Sequence, residues 1–445
     1  MSVDMKDSGV SWIEKVPKHW KIIPFKAFYS LSKGLSITKA DLVEKGLPVI
    51  SYGQIHSKIN TGTKINDLLI RYVPESYLAG NKSCIVNEGD IIFADTSEDL
   101  EGCGNCIYID RNIELFAGYH TIIARNIRKE KNKYLSYLFQ TDCWRWQIRA
   151  NVNGVKLFSI PQKLLSTTDI ILPPKEEQTR IANFLDKKCA EIDELIALQD
   201  QMIAQLATYK QAVITETVTK GLEPNVKMKD SGVEWIGEIP EHWNIVPLKF
   251  LGRTQNGISK GGDYFGEGSP FVNYGDIYKN YFIGSNDASG LAKSTIEDQK
   301  SYSVLKGDIF FTRTSETIEE IGFSCACIET IKNATFSGFL IRFRPYPEVL
   351  YPLFSGFYFR STMHRQYFVK EMNIVTRTSL GQDLLKGLPV LLPPLLEQQS
   401  IAQYLDQKCK EIDELISIKK EKIEQLKAYK KSVIYEYVTG KKQVN

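Results

Sequence analysis

Apolar residues recur every three or four positions over a stretch near the middle of the chain, which places them on one face of a helix. They are Ile181, Phe184, Leu185, Ile192, Leu195, Ile196, Met202, Ile203, Leu206, Tyr209 and Val213. No Gly or Pro interrupts the pattern between Pro174 and Gly221. The pattern therefore predicts one helix about 60 Å long, at roughly 1.5 Å per residue. A rod of this length needs a partner along its apolar face.

A second copy of this pattern lies near the end of the chain. Glu191–Ile196 has the sequence EIDELI, which recurs 220 residues later at Glu411–Ile416. Both stretches begin with Leu-Pro-Pro and a Glu-Gln pair. The two predicted helices most simply pack on each other. We expect an antiparallel pair, because the intervening chain must leave one helix and return to the other.

The N-terminal segment is also repeated. Met5–Phe25 aligns with Met228–Leu248, and 13 of the 21 aligned positions are identical. A repeat on this scale indicates duplication of a whole domain with its helix. The predicted organisation is a first domain (1–173), a long helix (174–220), a linker (221–227), a second domain (228–393), a second long helix (394–440) and a tail (441–445).

Between these landmarks the two copies agree only at short anchor motifs. Tyr52–Ile55 matches Tyr274–Ile277, and Thr96–Glu98 matches Thr314–Glu316. The anchors lie in short apolar runs bounded by Gly and Asn, which predict strands and turns. A helix is expected over 132–149, with its counterpart at 351–369, and each domain is expected to end on a strand, at 169–172 and 388–392. The predicted fold class is α+β, with two mixed α/β domains separated by two long helices that form an antiparallel coiled coil with a pseudo-two-fold.

Composition sets limits but does not name a partner. The 445 residues are 43% hydrophobic and 24% charged, with a formal net charge of +3, which suits two to four domains with ordinary cores. Nucleic-acid binding would require locally concentrated positive charge. No apolar run is long enough for a membrane span and no secretion signal is visible, so we expect no membrane association. Eight irregularly spaced cysteines indicate reduced, intracellular thiols.

Catalytic and metal-binding motifs are weak in this sequence. No phosphate-binding loop and no methyltransferase target-amine motif is present. Glu241, Asp298 and Lys300 form a loose nuclease-like pattern with uninformative spacing. The pair Cys103 and Cys106 lacks the further ligands that a zinc site needs, so free thiols are favoured. His19 and His242 stand in equivalent Pro-x-His-Trp motifs, and a structural role packing each N-terminal segment on its domain is favoured.

The positive signal consists of polar, aromatic and basic residues at predicted turns. Cationic side chains can neutralise phosphates, and Arg, Gln, Asn and Thr can read base edges. The competing interpretation for any one of them is an ordinary solvated surface. The candidates are Tyr52, Gln54, Arg71, Arg125, Arg149 and Lys156 in the first copy, and Tyr274, Asp276, Lys279, Arg313, Arg342, Arg344 and Arg377 in the second.

Taken together, the motifs MKDSGVEWIGEIPEHW, LPPxxEQ and EIDELI resemble those of the specificity subunits of type I restriction-modification systems. The resemblance covers nearly the whole chain and occurs twice. It implies two target recognition domains, each reading one half of an asymmetric, bipartite site in double-stranded DNA, with a coiled coil that sets their spacing. It also implies a non-catalytic, cytoplasmic subunit without a cofactor or metal. This subunit would dock two modification subunits, which methylate adenine with S-adenosylmethionine, and restriction subunits would join for ATP-dependent cleavage.

By position, fifteen residues are expected to contact DNA. They are Tyr52, Gln54, Thr96, Ser97, Arg149, Asn153 and Lys156 in the first domain, and Tyr274, Asp276, Arg313, Thr314, Ser315, Arg377, Thr378 and Ser379 in the second. Two alternatives stay open at this point. One is a self-contained DNA methyltransferase or nuclease fusion, and the other is a coiled-coil scaffold that binds only proteins.

Overall fold

The computed structural model describes residues 4–128, 130–315, 321–364, 367–368 and 378–444. Contacts divide the chain into two units. Unit 1 comprises Met1–Gln199 and Glu421–Asn445, and unit 2 comprises Asp200–Lys420. Each unit therefore contains one globular domain, the first half of one long helix and the second half of the other.

Within the described ranges all helices except two are short. The α-helices are α1 Tyr52–Ile55, α2 Lys133–Leu138, α3 Asp142–Arg149, α4 Gln162–Ser166, α5 Lys175–Lys220, α6 Tyr274–Lys279, α7 Ile296–Ser301, α8 Pro352–Arg360, α9 Gln382–Gly387 and α10 Leu395–Val438. The 3-10 helices are Phe25–Ala27, Lys39–Asp41, Asp67–Leu69, Glu75–Leu78, Lys82–Cys84, Leu248–Phe250 and Gly262–Tyr264. No helix in the described ranges combines the length and apolar character that crossing a membrane requires.

The strands are mostly two to six residues long. Unit 1 has β1 Met5–Val10, β2 Ile13–Pro17, β3 Lys21–Pro24, β4 Tyr29–Lys33, β5 Leu47–Ile50, β6 Arg71–Val73, β7 Ile85–Val86, β8 Ile91–Ala94, β9 Thr96–Ser97, β10 Cys106–Tyr108, β11 Leu115–Ala117, β12 Thr121–Asn126, β13 Phe158–Ser159 and β14 Asp169–Leu172. Unit 2 has β15 Met228–Asp230, β16 Glu238–Pro240, β17 Asn244–Pro247, β18 Gly252–Asn256, β19 Phe265–Val272, β20 Phe282–Ile283, β21 Gly290–Ala292, β22 Ile309–Thr312, β23 Thr314–Ser315, β24 Ser324–Cys327, β25 Thr335–Phe336, β26 Leu340–Pro345, β27 Thr378–Ser379 and β28 Pro389–Leu392.

The two domains share one strand topology. The main sheet has the order β10-β8-β12-β4 in unit 1 and β24-β22-β26-β18 in unit 2, where β20 adds one edge strand. A second sheet contains a parallel pair in each unit, β5 with β11 and β19 with β25. The first hairpin, the β3–β14 pair and the two-residue β9–β13 ladder all have counterparts in unit 2. The duplication seen in the sequence is therefore a duplication of fold.

The long helices run antiparallel inside each unit. In unit 1, the ring of Phe184 lies 4.4 Å from that of Tyr437, and further along α5 Asp193 pairs with Lys430 on α10. In unit 2, Ile214 and Val218 of α5 join one core with the first half of α10. The cysteines at equivalent positions, Cys189 and Cys409, are buried and free.

A glycine follows each long helix and packs against one of the domains. Gly440 follows α10 with a φ of 71°, and a Cβ there would lie 2.3 Å from Pro17 of unit 1. Gly221 ends α5 with a φ of 77°, beside Trp243 of unit 2. Both are helix C-caps in the left-handed conformation, where glycine is favoured.

Two local predictions were wrong. Tyr52–Ile55 and Tyr274–Ile277 were expected to be strands or turns, but they lie in the short helices α1 and α6, which Ser51 and Asn273 start with capping boxes. The helix expected over 132–149 is two helices, because Thr141 caps α3 through the backbone N–H of Trp144 and so breaks the run.

Candidate nucleic-acid interface

A two-strand ladder at the edge of the unit 1 domain brings predicted site residues together. Ser97 pairs with Phe158, and Thr96 pairs with Ser159. The N–H of Ser159 also donates to the carbonyl of Asn153 at 3.4 Å. Thr96 and Asn153, which are far apart in sequence, therefore lie on one small surface.

Unit 2 builds the same ladder from different residues. Thr314 pairs with Ser379, and Ser315 pairs with Thr378, so four predicted site residues meet here by backbone pairing. The buried residue that follows each ladder fixes it in the same way. The N–H of Ile160 donates to the backbone carbonyl of Asp95 at 2.7 Å, and the N–H of Leu380 donates to the backbone carbonyl of Arg313 at 2.7 Å.

This equivalence exposes a residue that sequence reasoning missed. Because Thr378 and Ser379 correspond to Phe158 and Ser159, the exposed Ser159 occupies the position of the predicted Ser379. The available signal was the Ser-apolar pair at Ser159-Ile160, which recurs 220 residues later at Ser379-Leu380.

A cleft of about 720 Å³ lies beside the ladder in unit 1. It gathers three predicted residues, Tyr52, Ser97 and Arg149. Residues that were not predicted also line it, among them His56 and Lys431 of α10. Its rim carries the acidic side chains of Glu98, Asp99, Glu101 and Asp142. Carboxylates repel phosphate but accept hydrogen bonds from the amino groups of bases.

Aromatic and imidazole rings gather at one end of this cleft. The ring of Tyr52 lies 5.6 Å from Tyr119, 6.2 Å from His56 and 5.4 Å from His120. His56 Nε2 lies 2.8 Å from the carbonyl of Thr96, which ties the cluster to the ladder. His120 is exposed, and its Nδ1 lies 3.2 Å from Asp95. Such rings present apolar faces and polar edges to the cleft.

Arg149 is held in place by its own unit. One guanidinium nitrogen lies 2.8 Å from Asp142, and the other donates to the carbonyl of Glu101 at 2.7 Å. Its neighbour Arg145 is buried and donates to Asn105 and Gln140. Burial lowers the pKa of the Arg145 guanidinium. The structure thus positions the Arg149 charge at the cleft wall and uses Arg145 to tie that wall together.

Three of the predicted residues have local structural contacts. The side-chain oxygen of Gln54 accepts the N–H of Ser51 at 3.0 Å, and Asp276 accepts the N–H of Asn273 at 2.8 Å. These are the reciprocal halves of capping boxes. Ser97 is buried, and its hydroxyl donates to the carbonyl of Asp99 at 2.7 Å. These three side chains are therefore held by hydrogen bonds within their own domains.

The remaining predicted residues differ in exposure. Asn153, Lys156 and Ser379 are exposed, whereas Tyr52, Thr96, Tyr274, Arg313 and Thr314 are half-buried. Tyr274 stacks on Tyr278 with centroids 5.8 Å apart. For Ser315 and Thr378 only the backbone pairing is described. Arg377 lies outside the described residues.

Three arginines considered as DNA contacts bond to groups of their own domain, and only Arg342 among them is buried. Arg344 forms a two-pronged pair with the buried Asp308, at 2.6 and 2.7 Å. In unit 1 the corresponding Asp90 lies 3.4 Å from Arg125. Burial raises the pKa of Asp90, and hydrogen bonds from Asn87, Arg125 and Asn126 oppose this.

Arg342 also bonds to groups of its own domain. It is buried, and it donates to the carbonyl of Ser303 at 2.6 Å and to Gln255. Burial lowers its pKa to about 10. Loop carbonyls and Asp308 therefore cover the face of β26 that Arg342 and Arg344 share.

The other residues considered for catalysis form separate local contacts. His19 lies 2.8 Å from Glu177, and His242 lies 2.9 Å from Glu397, so each histidine holds the first turn of a long helix, whereas packing on the domain had been expected. Glu241 pairs with Lys227.

Asp298 caps α7 and pairs with Lys260, so it belongs to a different set from Glu241. Cys103 and Cys106 are buried free thiols, and burial raises the pKa of Cys106 to about 12. The described part of the chain contains no group of three or more His, Cys, Asp or Glu side chains suited to a metal ion.

Comparison with known proteins places this architecture in a family. Residues 17–206 and 240–428 each match the family described as "Type I restriction modification DNA specificity domain". The chain belongs to this family, and it is a type I restriction-modification specificity subunit with two recognition domains.

Relatives match along most of their length. The chain is 25% identical over 408 residues to the type I restriction enzyme EcoKI specificity subunit of Escherichia coli K12, covering 88% of this chain and 82% of the relative. It is 25% identical over 455 residues to the MjaVIII specificity subunit of Methanocaldococcus jannaschii, covering 97% and 94%.

Solved structures share the fold. A chain from a study of the complex assembly and conformational transition of the type I R-M system superposes with a TM-score of 0.71 at 17% identity, covering 96% of this chain and all of that one. The HsdS subunit from Thermoanaerobacter tengcongensis gives a TM-score of 0.54 at 16% identity, covering 98% and 100%.

Proposed function

We propose that each unit reads one half of a bipartite DNA site through the surface around its ladder. The observation that supports this most strongly is the repeated ladder itself. Thr96–Ser97 with Phe158–Ser159, and Thr314–Ser315 with Thr378–Ser379, have the same backbone pairing. A polar, partly exposed edge built twice at equivalent positions is what two readers of one ligand type require.

The side chains around the two ladders differ, and this supports an asymmetric site. Asp95 precedes the ladder of unit 1, whereas Arg313 precedes that of unit 2. A carboxylate accepts from cytosine or adenine amino groups, whereas arginine donates to guanine or to phosphate. The two half-sites should therefore have different sequences.

The long helices supply a rigid connection between the recognition domains in this proposal. A continuous helix of 46 residues is about 70 Å long and is stiff, whereas a Gly- or Ser-rich linker of the same length is not. We infer that α5 and α10 fix the number of base pairs between the half-sites. Their exposed faces would also dock the two modification subunits.

In this proposal the partner subunits catalyse the reactions on DNA. The modification subunits would methylate adenine in each half-site, and restriction subunits would cleave DNA in an ATP-dependent complex. This chain would contribute sequence choice and geometry. Affinity for duplex DNA should fall steeply with salt, because phosphate contacts release bound counterions.

Mapping modified adenines in a host that expresses this chain with its modification subunit tests the proposal. The expected result is one bipartite motif with unlike halves and a fixed gap. Arg313→Ala should then relax or abolish only the half read by unit 2. A motif without a gap, or methylation by the purified chain alone with DNA and S-adenosylmethionine, would contradict the proposal.

A further inference from the structure

An exposed apolar tip projects from unit 1 beside the ladder. The tip comprises Gly154, Val155, Lys156 and Leu157, between α3 and β13. The side chain of Val155 is 94% exposed, more than any other large apolar residue in the described ranges, and Leu157 is 56% exposed. Fully burying such a side chain is usually worth about 1.5–3 kcal/mol, so this tip contributes little to folding.

The tip is mounted on ordered structure. Asn153 forms a bridge with Ser159 below it, and β13 pairs with β9. Gly154 has a φ of 147°, and a Cβ there would lie 2.2 Å from the carbonyl oxygen of Leu157. The turn therefore requires glycine, and it holds the side chains of Val155 and Leu157 outward.

The chemistry of the tip fits the major groove of duplex DNA. That groove admits a two-stranded ribbon, and among the bases thymine presents a methyl group there. Lys156 lies between the two apolar residues and can reach a phosphate. The two apolar side chains match thymine methyl groups better than they match the polar base edges, and the cation between them matches the phosphate backbone.

We propose that Val155 and Leu157 read thymine methyl groups in the half-site of unit 1. This inference rests on the proposed function and adds a specificity contact to it. Lys156 supplies a phosphate contact that carries no sequence information.

The test uses the chain assembled with its modification subunits and a duplex carrying the mapped site. A second duplex has deoxyuridine in place of every thymine in the half-site of unit 1 and its flanks, which removes only methyl groups. The dissociation constant should be about four times larger for the deoxyuridine duplex than for the thymine duplex if one methyl contact is lost, from the transfer free energy of one such group. A ratio of one for the unaltered chain overturns the proposal.

Variants of the tip test whether its side chains cause the difference in affinity between the two duplexes. The double variant Val155→Ser/Leu157→Ser should bind both duplexes equally while keeping its preference at the half-site of unit 2. A ratio that persists in this variant overturns the proposal. The matched control Leu68→Ser changes another exposed leucine of unit 1, which is 74% exposed and lies outside the tip. It should keep the ratio of the unaltered chain, and loss of the ratio there also overturns the assignment.

The variant Lys156→Ala tests whether the phosphate contact of the tip is independent of its recognition of thymine methyl groups. It should weaken both duplexes equally and reduce the salt slope by about one, leaving the ratio unchanged. A change in the ratio would overturn the division of roles within the tip. Failure of the proposed function itself would look different, because no bipartite motif would then be mapped from which to build the duplexes.

Discussion

Lys210 and Asp413 join α5 to α10, with the lysine nitrogen 2.6 and 2.8 Å from the two carboxylate oxygens. The equivalent pair, Lys430 and Asp193, has both distances at 2.7 Å. Each lysine is more buried than its carboxylate partner, with 17% and 22% of its side chain exposed. One ion pair has therefore been duplicated together with the helix, and each copy lies inside one unit.

The first prediction concerns the strength of these pairs. Asp413→Lys should destabilise unit 2 because it places two cations side by side, and adding Lys210→Asp should restore most of the loss. The coupling energy should be about 0.5–1 kcal/mol, as for partly exposed pairs, and should shrink in high salt. Urea denaturation of the single and double variants measures it. The equivalent cycle at Asp193 and Lys430 is the control, and a coupling of zero in both cycles would mean that the pairs add nothing.

The second prediction concerns the glycines that end the long helices. Gly221→Ala should cost about 1–2 kcal/mol, from the left-handed backbone alone. Gly440→Ala should cost more, because its Cβ would also overlap Pro17 at 2.3 Å, whereas the nearest atom to a Cβ at Gly221 is 3.0 Å away. Thermal unfolding should show this order. Gly53→Ala, where nothing lies within 4 Å and the backbone is helical, is the control and should be near neutral. Equal losses at Gly221 and Gly440 would contradict the packing argument.

The long helices could be predicted because their signal is long. Over forty residues, apolar spacing outweighs local exceptions, and α5 and α10 begin within a residue or two of the predicted positions 174 and 394. The repeat then predicted that the two halves share a topology. Helix α1 could not be predicted in this way, because four residues carry no period and its start depends on the contact between Ser51 and Gln54.

The candidate site was harder to predict than the fold, because exposure depends on partners distant in sequence. Arg149 and Arg344 look alike in the sequence, yet one lines a cleft and the other covers the buried Asp308. Strand alternation shows that Arg342 and Arg344 share a face, but not what covers that face. Ser97 was predicted from a shared motif, and its burial follows from the loop around Asp99. Individual DNA contacts therefore remain predictions.

The third prediction explains the glutamine of the LPPxxEQ motif. Gln398 is 1% exposed. Its side-chain nitrogen donates to the carbonyls of Pro393 and Val349, and its side-chain oxygen accepts the N–H of Tyr351. Gln178 is 8% exposed and bonds to Pro173. Gln398→Leu strands more buried backbone groups, at about 1–3 kcal/mol each, so it should destabilise its unit more than Gln178→Leu does. Differential denaturation of the two variants tests this.

The matched variants Gln398→Glu and Gln178→Glu keep the shape of the side chain but lose the donated hydrogen bond. They should also destabilise, with Gln398→Glu the worse because two carbonyl oxygens would then face a carboxylate. If all four variants unfolded at the same denaturant concentration as the original chain, the glutamines would not be structural.

The fourth prediction separates two arginines of unit 2 that sequence alone could not tell apart. Arg344→Ala leaves Asp308 buried at 1% exposure without its two-pronged partner, which should cost about 3–5 kcal/mol of stability. Within the described residues, the side chain of Arg313 forms no hydrogen bond or ion pair, and its backbone holds Leu380 beside the ladder. Arg313→Ala should leave the unfolding midpoint nearly unchanged, because the backbone contact survives. It should weaken binding to the half-site of unit 2 by about 1–3 kcal/mol if the guanidinium reads a base.

Binding must be measured for both variants on duplexes altered in one half-site at a time, at a temperature where each is folded. Arg344→Ala should keep the base preference of the original chain, whereas Arg313→Ala should lose it in one half only. Arg313→Lys keeps the charge but loses the planar fork, so it should retain affinity better than it retains base preference. The reverse pattern, with preference lost in Arg344→Ala and kept in Arg313→Ala, would move the reading surface of unit 2 away from its ladder.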